Sequence, residues 1–182
     1  MTKIKLESIK KYFVSFIQSD KIIILFLSIC LLSFSWFYIS YNQPRDIHYR
    51  YNGIKYQAGN LEIAEPILIE VKGTYLKELF VREVEIDGFI KIGEKTFNCD
   101  KMRFSEYSMN TLQSSEGHFG VILMSDMLKE LTVEIHEPNQ YGGYSWSGQN
   151  GWLIAAPCNN RNEAIKISNM LIEKRHKGLV IE

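Results

Sequence analysis

The chain has 182 residues, of which 46% are hydrophobic, with 21 basic and 21 acidic side chains. Residues 1–21 hold five of the bases and two of the acids, which leaves 16 against 19 for the remainder, a charge near minus three with nothing suited to holding a nucleic-acid backbone. The 139 residues from Pro44 to Glu182 suffice for one domain with its own core and are too few for two.

Residues 1–21 form a short basic segment. Ile4, Leu6, Ile9, Phe13, Phe16 and Ile17 recur there at near-helical spacing among lysines, either as an amphipathic helix on an anionic membrane surface or as the flank of an anchor. From Ile22 to Tyr41 no side chain is charged. At helical rise that length is about 30 Å, the thickness of a bilayer's hydrocarbon core. Trp36, Tyr38 and Tyr41 near its exit suit the membrane interface. A cleavable signal peptide needs small residues after a short apolar core, and the nearest match, Ser33-Phe34-Ser35, lies inside the apolar run. Leu27-Ser28-Ile29-Cys30 approaches a lipobox but puts Ile29 where a small residue is required. Residues 22–41 therefore read as an uncleaved transmembrane signal anchor.

Lys3, Lys5, Lys10, Lys11 and Lys21 precede the span, and Arg45, Arg50 and Lys55 follow it. That bias predicts a single-pass protein of the cell membrane, with a cytoplasmic N-terminus and an extracytoplasmic domain over residues 44–182.

Within the domain, Tyr49 to Tyr56 alternates around Asn52-Gly53, a pair that suits a tight hairpin turn. Ile67 to Val71 is a β-rich run, and Val84 to Ile92 reads as two strands joined at Asp87-Gly88. Met102 to Tyr107, Phe119 to Met124, Leu131 to His136 and Trp152 to Ala156 are further strands between polar or glycine-bearing segments. Seven or eight short strands predict an antiparallel β-sandwich or barrel-like sheet. A helix follows over about residues 162–174, capped by Asn159 or Asn160 and ended by Gly178, with Ala164, Ile167, Met170 and Leu171 inward. Lys174, Arg175, His176 and Lys177 complement its C-terminal dipole, and Leu179 to Ile181 is a last edge strand. The fold class is thus a β-rich α+β domain behind a single transmembrane helix.

Three features bear on chemistry. Cys99 and Cys158 are the two cysteines outside the anchor, and in an oxidising compartment they would form a disulfide. Alternatively Cys158, just before a helix N-terminus, would be a thiolate nucleophile with His118 or His136 as its base, in a thiol-dependent enzyme. The loop 141–152 sets Tyr141, Tyr144, Trp146 and Trp152 among glycines and amides, a platform for sugar rings or a small ligand. Gly143-Tyr144-Ser145-Trp146-Ser147 lacks the last glycine of a hydrolase nucleophile elbow. His48, His118, His136 and His176 lack metal-ligand spacing, so no metal and no cofactor is expected. These residues predict a membrane-anchored, non-enzymatic binding or assembly protein whose partners are the lipid bilayer and an envelope protein or glycan. The alternative is an envelope glycan or small-ligand sensor using the aromatic loop.

Overall fold

The computed structural model describes residues 3–105, 108–125, 128–174 and 176–182, with residues 3–20 described as backbone only. The chain divides between Gln43 and Pro44 into two units.

The first unit is one helix, α1 (Lys3–Tyr41). No glycine or proline interrupts it, so its backbone groups pair within the segment, as a lipid environment requires. Lys21–Tyr41 is long and apolar enough to cross a membrane, a test that a signal sequence also passes. Ser28 donates its hydroxyl to the Ile24 carbonyl at 2.8 Å, which satisfies a polar group among apolar neighbours. The helix closes where the Asn42 N–H donates to the Tyr38 carbonyl, and Pro44 cannot continue it. The helix runs through the expected boundary at residue 21 without a break. The amphipathic pattern from Ile4 to Ile17 concerns side chains outside the described residues.

The second unit is strand-rich. Its strands are β1 (Arg45–Gln57), β2 (Ala64–Lys77), β3 (Val84–Ile92), β4 (Lys95–Phe104), β5 (Asn110–Ser114), β6 (Gly117–Met124), β7 (Leu131–Ile135), β8 (Glu137–Pro138), β9 (Tyr144–Ser145) and β10 (Trp152–Ala156). Eight of them form one antiparallel sheet in the order β4-β3-β2-β1-β10-β7-β6-β5, while β8 and β9 make a small ribbon. The sheet curls until its edges approach. There the Asn110 side-chain amide, at the start of β5, donates to the Arg103 carbonyl of β4 at 2.8 Å. A nearly closed curl hides edges that would otherwise pair with another chain.

Alternation along the strands gives the curl an inner and an outer core. Ile69, Val71, Ile86, Ile90, Phe97 and Ile122 fill the inside. On the outside, Tyr56, Leu123, Leu153 and Ala155 are covered by α2 (Arg161–Glu173) through Ala164, Ile167, Leu171 and Ile172. β10 is therefore buried on both faces, with Ile154 and Ala156 inward and Leu153 and Ala155 outward. Its sequence is correspondingly an unbroken apolar run rather than an alternating one.

Two expected turns are absent. β1 runs straight through Asn52-Gly53 and pairs with β2 from Arg45↔Tyr75 to Tyr56↔Ala64. Gly53 serves instead as a point of close approach, since a Cβ there would lie 2.7 Å from the Ala155 carbonyl oxygen. β3 runs through Asp87-Gly88 in the same way. The reversal comes at Gly93-Glu94, where Gly93 has a φ of 58°. The strand expected to reach Tyr107 ends at Phe104, and Glu106 and Tyr107 lie outside the described residues.

Asn160 caps α2, with its side-chain oxygen accepting from the Glu163 N–H at 3.0 Å. Glu163 reaches back to the Asn159 N–H at 2.9 Å, completing a reciprocal cap. The helix ends at Glu173, before Gly178. Of the expected basic cluster, Arg175 lies outside the described residues. Leu179 to Ile181 is not a strand. Instead the Asn169 side-chain amide pairs with both backbone groups of Ile181, at 2.7 and 3.0 Å, and so supplies the ladder bonds a neighbouring strand would have made.

Candidate functional site

At the end of the sheet away from Arg45, the curl opens into a cleft of about 420 Å³ lined by Ile67, Ile92, Phe119, Ile135 and Ile154 with Trp152 at its rim. The register Gln57↔Trp152 and Trp152↔Ile135 brings Trp152 there from the start of β10. Two lysines stand over its aromatic rings. Lys55 Nζ lies 4.5 Å from the Trp152 ring centroid and Lys95 Nζ lies 5.6 Å from that of Phe119. Both are paired, Lys55 with Glu65 at 3.5 Å and Lys95 with Glu116 at 2.7 Å. Such exposed, solvent-screened pairs contribute little, so an incoming anion can displace either carboxylate at little cost. The rim also carries Glu94 and Glu137, so an apolar floor edged by two lysines and two carboxylates suits a ligand having an apolar body and a charged end, whose acidic form the lysines would take.

On the outer face of the same rim, His118 Nε2 and His136 Nδ1 lie 3.0 Å apart, a hydrogen bond in which one ring donates and the other accepts. His136 Nε2 is 4.0 Å from a carboxylate oxygen of buried Glu134, and the Tyr144 ring packs on His118 with centroids 4.9 Å apart. A bulge builds this cluster. The β5–β6 register slips between Leu112 and Gln113, opposite Phe119 and Gly120 of β6. Gly120 has a φ of 158°, and a Cβ on it would lie 2.0 Å from the Glu134 carbonyl oxygen. Phe119 thereby turns inward onto Phe97, with ring centroids 5.0 Å apart, while His118 is left beside His136. Burial, reinforced by the charge of His118, holds the His136 pKa below the usual histidine value. Among the described residues, no group of three or more His, Cys, Asp or Glu side chains is arranged to hold a metal ion.

The four loop aromatics do not share one surface. Tyr141 is 87% exposed at the loop tip, and Tyr144 is half exposed on His118. Trp146 packs into the outer core and donates its indole N–H to the Trp152 carbonyl at 3.1 Å. Trp152 belongs to the inner cleft. Its partners Lys55, Lys95 and Phe119 come from three other strands and carried no local motif.

The expected disulfide is not formed. Cys99 is buried in the inner core and Cys158 in the outer one, both as free thiols, so the sheet itself separates them. Burial pushes the Cys99 pKa up to about 11 and raises that of Cys158, whose Sγ donates to the Ala155 carbonyl at 3.0 Å. A raised pKa is the opposite of what a nucleophilic thiolate needs. His118 and His136, expected as bases for such a thiol, pair with each other. The chain matches no family model, no curated protein and no solved structure.

Proposed function

We propose that the protein is a membrane-anchored binding protein, in which the apolar helix holds an extracytoplasmic domain at the bilayer and the cleft around Trp152 receives a small amphipathic acid. The cleft carries this reading: an apolar floor of isoleucines and Phe119, an aromatic rim, and two lysines held by replaceable carboxylates. No step of it requires chemistry. The Gly-rich loop would act as an edge to the cleft, since β8 brings Glu137 to its lining.

The test is a titration of the full chain in lipid nanodiscs with an aromatic carboxylate such as 4-phenylbutyrate, read by tryptophan fluorescence. A saturable change is expected that disappears in Trp152→Phe and weakens several-fold in Lys95→Gln. A wild-type response that survives Trp152→Phe would place the ligand elsewhere and sink the cleft reading. Orientation is read separately. Leu61→Cys in a Cys30→Ala background presents a thiol at a site 78% exposed, and a membrane-impermeant maleimide should label it in intact cells. Labelling only after lysis would reverse the topology.

A further inference from the structure

The turn between β2 and β3 has an unusual residue at its tip. The Val81 N–H donates to the Glu78 carbonyl at 3.2 Å, so Leu79 and Phe80 are the two central residues of a tight turn. Phe80 has a φ of 76°, in the left-handed region that turns ordinarily reserve for glycine or asparagine. It is also 84% exposed, and Val81 beside it is 42% exposed. A phenylalanine in this place is unfavourable twice, once through its backbone and once through its contact with water, and none of the described residues covers the ring.

Where the turn projects identifies what could cover it. Arg45, the first residue of β1, pairs with Tyr75, and β2 continues past that rung to Lys77 before the turn begins. The turn therefore leaves the sheet at the end through which the chain enters the domain. Only Asn42, Gln43 and Pro44 separate Tyr41 from Arg45, a link spanning at most roughly 14 Å when extended. That end of the domain cannot leave the neighbourhood of the bilayer if the helix spans it. The charges around the tip, Lys77 and Arg82 against Glu78 and Glu83, balance. Attraction to a lipid surface would thus come from apolar contact rather than from lipid charge.

We propose that the Phe80–Val81 tip dips into the membrane interface and gives the chain a second lipid contact in addition to the anchor. This rests on the anchor reading given above, and lipid is the occupant because the three-residue link delivers it.

The test places a nitroxide at three positions of the full chain in phosphatidylcholine nanodiscs, one position at a time: native Cys30, Phe80→Cys and Leu61→Cys, the latter two in Cys30→Ala. Cys99 and Cys158 are buried in the folded protein and stay unlabelled. Both substituted sites are exposed, so the fold tolerates the labels. The reading is accessibility to dissolved oxygen, which concentrates in lipid, relative to a water-soluble nickel chelate. The proposal expects that ratio to be several-fold higher at position 80 than at position 61, and higher again at position 30. Equal ratios at positions 80 and 61, with position 30 in lipid, would overturn the tip contact and leave the anchor standing. A position-30 label in water would overturn the anchor, and the proposal with it. Shielding at position 80 from both reagents, with spin–spin broadening, would mean a second copy covers the tip and would also overturn it.

Discussion

Gly73 of β2 and Gly88 of β3 face each other across the ladder, each with a φ near 155° and each with its α-carbon against the other strand's backbone. A Cβ on Gly73 would lie 2.1 Å from the Asp87 carbonyl oxygen, and one on Gly88 would lie 2.2 Å from that of Lys72. Neither obstacle is a flexible side-chain end, so the strands themselves would have to separate. Gly88→Ala should destabilise the domain by about 2–4 kcal/mol. Gly142→Ala is the contrast: its φ is 78°, but nothing lies within 4 Å, so only backbone strain of about 1 kcal/mol is added. Thermal unfolding of the full chain in detergent, followed by tryptophan fluorescence, should rank the two in that order. Equal shifts would mean that the strands give way freely.

That glycine pair also shows where sequence reading misled. Asn52-Gly53 and Asp87-Gly88 carry the local chemistry of hairpin turns, and both lie inside long strands because β2 offers a continuous ladder on each side. Tertiary pairing outweighed a dipeptide preference. The strand-rich class, the antiparallel pairing, the helix and its Asn160 cap were legible, because periodicity and capping are local signals. The cleft was not. Trp152 stood out as an aromatic in a polar loop, but Lys55, Lys95 and Phe119 join it only through register set over dozens of intervening residues. The His118–His136 pair had one usable sign, the lone Gly120 within an apolar strand, which marks a bulge and hence a side chain turned to the other face.

Thr132 and Ser168 are both fully buried and tie α2 to β7. Thr132 donates its only hydroxyl proton to the Ile154 carbonyl at 3.1 Å, so Ser168 is the donor in the 2.8 Å bond between the two hydroxyls. Ser168→Ala removes that donor but leaves the Thr132 proton satisfied, and should cost about 1 kcal/mol. Thr132→Val strands the Ser168 hydroxyl in the core and should cost about 1–3 kcal/mol, the penalty of an unsatisfied buried group. The double variant should lose about 0.5–1 kcal/mol less than the two singles together, because the stranded hydroxyl is then gone. Additivity in urea unfolding would mean that the hydroxyls are not coupled.

With the sheet between Cys99 and Cys158, redox conditions should leave the domain unchanged. Reductant is expected to shift neither its melting temperature nor its electrophoretic mobility. In the folded state both thiols should resist maleimide, and they should react only after denaturation. A melting temperature that falls on reduction would show a bond that the two-core arrangement forbids.

His136 gives the domain a pH dependence of definite sign. His136 sits between β7 and β8, and its neighbours are His118 on β6, Glu134 on β7, and Tyr144 packed over His118 from β9. Burial and His118 depress its folded-state pKa, so between the folded and unfolded values the unfolded chain binds the extra proton. Stability is then fully present above the unfolded value, about 6.5, and declines as pH falls below it. His136→Gln keeps a hydrogen-bonding side chain beside His118 and removes the titration. Melting temperatures measured from pH 7.5 down to pH 5.5 should therefore fall more steeply for the wild type than for His136→Gln. Parallel curves would mean that the proton is taken up without cost to the fold, and that the Glu134 carboxylate compensates the burial of the imidazolium.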